Sequence, residues 1–77
     1  MTVRYYKIRV ETPRFIMQTV DTTWAGLEKA DYLASEQEKW NAFGKRYGIK
    51  VDLQIEEISE DVARTTRQFT RHRKVKP

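Results

Sequence analysis

The sequence predicts a small α+β fold. A three-stranded antiparallel or mixed sheet, in the order 2-1-3, carries one long helix on one face, and a short C-terminal helix follows (ββαβα). Three observations predict it. Residues 3–11 alternate in polarity, and residues 49–56 do so again, the mark of half-buried strands. Between them, residues 21–47 carry apolar side chains at three- and four-residue spacing. The chain has 77 residues, enough for one domain, placed over 1–69 with a basic tail over 70–77. Nine aromatics, two Trp, four Tyr and three Phe, supply the bulk of a core that must otherwise be small.

In the first strand Tyr6, Ile8 and Val10 point one way and Tyr5, Lys7, Arg9 and Glu11 the other. Thr12 and Pro13 interrupt it, because proline cannot continue a paired ladder. Residues 15–20 read as the second strand of a hairpin. Asp21, Thr22 and Thr23 are capping residues, so a helix is predicted from there to Arg46 or Tyr47, closed by Gly48. Its predicted sheet-facing stripe is Leu27, Ala30, Leu33, Ala34, Gln37 and Trp40. Residues 49–56 form the third strand, which ends or bulges at Glu57 and Ile58. Ser59, Glu60 and Asp61 open a second helix, with Val62, Thr66 and Phe69 on one face and Arg64, Arg67 and Arg71 on another. Strands two and three run parallel with strand one between them, which sets Lys7 and Arg9 beside Asp52 and Glu56 on the open face.

Charge is unevenly placed. Residues 1–61 hold nine Lys and Arg against eleven Asp and Glu, a balance of −2. Residues 62–77 hold six basic residues and no acid, so the whole chain is +4. Such an end suits an anionic partner, whether nucleic acid, an acidic protein surface or anionic lipid.

The inventory for catalysis is thin. The absence of cysteine excludes a disulfide framework and a thiolate nucleophile, and a single histidine excludes a multi-histidine metal centre. His72 sits in the basic end and reads as a solvated tail residue. Asp52, Glu56 and Glu57 lie on an open face with no pocket to separate their pKa values. Three isolated glycines make no phosphate-cradling loop. No apolar run is long enough to span a membrane. The expectation is therefore a non-enzymatic protein with no catalytic, metal or cofactor residues, cytoplasmic in location.

Binding has better material. Arg64, Arg67, Arg71, Arg73, Lys74 and Lys76 form a basic run, and arginine's planar fork suits carboxylate and phosphate. The bland reading of that run is a solubilising end. Trp24, Tyr32 and Tyr5 are aromatic contact candidates, because Tyr and Trp left on a surface are enriched at binding hot spots. Their bland reading is that a small domain wraps the rings over its own edges. The third strand is a long edge without proline and admits a homodimer by strand pairing.

The opening Tyr5-Tyr6-Lys7-Ile8-Arg9-Val10, the hairpin, the helix with Ala25, Ala30 and Ala34, and the returning strand resemble small phage-encoded proteins that redirect host machinery, of the RNA polymerase inhibitor or anti-CRISPR type. The resemblance covers residues 3–58 and is one of outline. It implies a viral modulator of a host protein, acting in the host cytoplasm. Archaeal ribosomal proteins share a comparable outline. The functional expectation is a protein-binding module acting on a host protein; the alternative is a DNA- or RNA-binding protein using the basic C-terminal helix and tail.

Overall fold

β1 (Val3–Glu11) and β2 (Phe15–Trp24) form an antiparallel hairpin whose register runs from Glu11 opposite Ile16 to Val3 opposite Trp24. The computed structural model describes residues 2–73. The hairpin turn is built on Thr12. Its backbone N–H donates to the Phe15 carbonyl at 2.9 Å, and its Oγ1 accepts from Arg14 N at 3.1 Å and Phe15 N at 3.0 Å. The hydroxyl thus closes a turn in which Pro13 has no N–H to offer.

β2 runs four residues past its predicted end. Asp21, Thr22 and Thr23, expected to cap the helix, are strand residues opposite Tyr6, Tyr5 and Arg4. β-branched residues at 19, 20, 22 and 23 favour extended backbone, and the full length of β1 offers them partners. α1 (Lys29–Tyr47) consequently starts late, at Glu28, whose side chain makes no capping bond. Its end is as predicted. Gly48 takes a left-handed φ of 62°, and its N–H donates to the Gly44 carbonyl.

Leu33 and Trp40 of the predicted stripe face the sheet, but the rest of it does not, because the buried face of α1 is turned toward Tyr32 and Phe43. Tyr32 and Trp40 are buried, with Leu33 and Phe43 packed beside them. Ala30, Ala34 and Gln37 are exposed, and Leu27 lies ahead of the helix. The aromatic rings bury far more apolar area than the alanines, which decides the rotation. The core under them is Tyr6, Ile8 and Val10, flanked by Phe15 and Met17 of β2 and by Leu53 and Ile55 of β3 (Asp52–Ile58). β3 pairs antiparallel with β1, Lys7 opposite Glu56 and Ile8 opposite Ile55.

α2 (Glu60–Thr65) opens as predicted, with Ser59 Oγ accepting from Val62 N at 3.2 Å. It stops after six residues. Thr65 Oγ1 and Thr66 Oγ1 both donate to the Val62 carbonyl, at 3.2 and 2.6 Å, and Thr66 is extended. The predicted longer helix is replaced by β4 (Phe69–His72), antiparallel to β2 with Phe69 opposite Gln18 and His72 opposite Phe15. The fold is thus α+β with one long and one short helix, but the sheet has four strands in the order β3-β1-β2-β4, all antiparallel neighbours. β1 still lies between β2 and β3. Thr70, Arg71 and His72, expected in a basic tail, belong to the sheet. No helix among the described residues is long and apolar enough to cross a membrane.

Candidate functional site

Side chains alternate across a strand, and paired residues share a face. Tyr6, Ile8 and Val10 face α1, so Tyr5, Lys7, Arg9 and Glu11 occupy the opposite face. The registers then assign Ile16, Gln18, Val20 and Thr22 of β2 to that face, with Asp52, Gln54, Glu56 and Ile58 of β3 and Phe69 and Arg71 of β4. This face is polarised. Its β3 edge carries Asp52 and Glu56; its β4 edge carries Arg71.

Arg67, just ahead of β4, joins the basic edge. Its guanidinium lies 5.4 Å from the Phe69 ring centre, and that of Arg71 lies 5.2 Å from the same ring. Phe69 thereby carries two exposed guanidiniums against one ring. Gln18 fixes the approach from beneath. Its Nε2 donates to the Arg67 carbonyl at 2.8 Å, and its Oε1 accepts from Arg9 Nη1 at 3.4 Å. Gln68 adds a second anchor, its Oε1 accepting from Thr19 Oγ1 at 2.9 Å and from Val20 N at 3.2 Å. Among the described residues neither Arg67 nor Arg71 forms an ion pair. The outer edge of β4 is the end of the sheet.

The predicted basic stripe is divided. Arg64 is paired with Glu60 at 2.7 Å on α2 and does not share a face with Arg67 and Arg71, because the helix has ended between them. Arg73 follows β4, its N–H donating to the Arg14 carbonyl at 2.7 Å. Lys74 and Lys76 lie outside the described residues.

The aromatic candidates also divide. Tyr32 is 5% exposed and is a core residue, stacked on Tyr6, so it presents no contact surface. Tyr5 is half-buried on the open face. Trp24 is 64% exposed, its ring set against Gly26 so closely that a side chain there would overlap it. Phe69, predicted on one face of a helix, lies in β4, and the period-two spacing of Arg67, Phe69 and Arg71 is the strand signal in the sequence that marks it. No protein-family model, curated protein or solved structure matches the chain.

Proposed function

We propose that the protein is a non-enzymatic protein-binding module that takes an extended acidic segment of its partner along the outer edge of β4. The supporting observation is the pair of guanidiniums held on Phe69 beside an unpaired strand edge. The edge offers backbone N–H and C=O groups to an added strand, and alternate side chains of that strand fall on one face. Arg67 and Arg71 stand four residues apart with both guanidiniums on one ring, and suit two carboxylates carried on the same face of an added strand.

The test is fluorescence anisotropy with a labelled extended peptide bearing Glu at positions i and i+4, against a peptide of the same composition with adjacent Glu. Binding of the first that weakens about tenfold or more in R67E/R71E supports the proposal. Equal binding of both peptides, or of neither, overturns it.

A second reading, single-stranded nucleic acid, draws on Phe69, Arg67, Arg71 and Arg9 sharing one sheet face. Glu11, Asp52 and Glu56 on that face repel phosphate. A labelled oligonucleotide at the same ionic strength separates the readings. Tighter binding of the oligonucleotide than of the peptide favours the second.

A further inference from the structure

The acidic and basic edges of the open face match each other. β1 is antiparallel to both β2 and β3, and β4 is antiparallel to β2, so β3 and β4 run in opposite directions at the two ends of the sheet. A second copy can therefore lay its β3 against β4 as an antiparallel neighbour while its open face stays on the same side. In one register, Arg71 stands opposite Asp52 of the second copy, Phe69 opposite Gln54 and Arg67 opposite Glu56. The two acids are four residues apart, as are the two arginines. On the helix side of the same pairing, Thr70 meets Leu53.

We propose that the partner strand for β4 is β3 of another copy of this chain, so that the protein assembles head to tail through a continuous antiparallel sheet. The inference rests on the strand-addition reading above and names its occupant. Charge complementarity selects it over the two symmetric alternatives. Pairing β3 with β3 brings the Asp52 and Glu56 edges together, and pairing β4 with β4 brings the arginines together; like charges at such positions are destabilising. The cross-pairing has one like-charged match, Lys50 opposite Arg73, outside both strands. Four strands at about 4.8 Å set successive α1 helices roughly 19 Å apart, wider than the roughly 10–12 Å of a helix, so the helices do not collide. Sheet twist of about 20–25° per strand turns each copy by roughly 80–100° relative to the last. Such a contact does not close on itself and produces open, helical oligomers.

The experiment is sedimentation velocity on the full chain from micromolar to near-millimolar concentration, at low and high ionic strength. The expected result is a concentration-dependent series of oligomers that shifts toward monomer in high salt, because exposed ion pairs are screened. D52R/E56R, with two basic edges, and R67E/R71E, with two acidic edges, each lose association roughly tenfold or more alone. Mixed in equal amounts they recover it, because every interface again joins opposite charges. A monomer at all concentrations and salts overturns the inference, as does a dimer that goes no further or association that both variants retain. A monomer that still binds the Glu i, i+4 peptide overturns only the choice of occupant and leaves the proposed function standing. Far-ultraviolet circular dichroism of the two variants checks that their fold is kept.

Discussion

Tyr32 lies flat on Tyr6, the ring centroids 4.3 Å apart and the planes 16° from parallel. The two phenols differ in one respect. The Tyr32 hydroxyl donates to Asp21 Oδ2 at 2.7 Å, whereas the Tyr6 hydroxyl is buried with no hydrogen-bond partner among the described residues. The same substitution therefore has opposite signs at the two sites. Tyr32→Phe leaves Asp21 without its donor and destabilises by about 1–2 kcal/mol. Tyr6→Phe removes an unsatisfied buried group and is neutral or stabilising by up to about 1 kcal/mol. Urea denaturation of both variants checks the contrast, and equal destabilisation defeats it.

Stability also falls in alkali through Tyr32. Burial raises its phenol above the ordinary value near 10, with the Asp21 hydrogen bond and the charges of Asp21 and Glu36 acting in the same direction. The folded chain then holds a proton that the unfolded chain gives up. This contribution is complete below about pH 10 and is lost as pH rises past it, by up to about 1.4 kcal/mol per pH unit. Unfolding free energy measured above pH 10 declines more steeply in the wild type than in Tyr32→Phe. Parallel curves would assign the alkaline loss to other groups.

Thr12, 3% exposed, closes the hairpin with its hydroxyl. Thr12→Val keeps the shape and removes the acceptor for two backbone N–H groups, at a cost of about 1–3 kcal/mol. Thr12→Ser retains the acceptor and recovers most of it. Thermal denaturation of the pair reads the difference, and a Val variant as stable as the Ser variant counts against the turn's dependence on the hydroxyl.

Gly26 seats the exposed Trp24 ring. A methyl in its place overlaps the end of a flexible side chain, so Gly26→Ala moves the ring at little cost to the fold. Acrylamide quenching in a Trp40→Phe background, where Trp24 is the one indole, increases on Gly26→Ala. Unchanged quenching would show that the ring stays seated.

Gln18 ties β2 to the start of β4 through the Arg67 carbonyl. Gln18→Ala weakens binding of the acidic peptide by about three- to tenfold, because Arg67 loses its placement; the loss corresponds to one hydrogen bond. Gln37→Ala removes a hydrogen bond to Asn41 on the exposed face of α1 and leaves peptide affinity unchanged. A similar loss in both variants would point to general destabilisation.

Local chemistry was enough for several parts of this fold: the alternation of β1 and of residues 52–56, the break at Pro13, the Ser59 cap and the left-handed close at Gly48 each depend on residues within one turn or strand, whereas β3 starts at Asp52 instead of Ile49 and runs on through Glu57 and Ile58, which pair with Tyr6 and Tyr5 of β1. Tertiary structure decided the rest. β2 extends through Asp21, Thr22 and Thr23 because β1 offers partners along its whole length, and hydrogen bonding to a distant strand outweighs a local capping preference. α1 turns its aromatics inward because area buried against the sheet outweighs the neatness of an alanine stripe. Residues 69–72 become a strand because Phe15–Gln18 present an open edge to them. That pairing, between residues some fifty apart in the chain, sets Arg67 and Arg71 on Phe69 and makes the fourth strand of the sheet out of what otherwise reads as a basic tail.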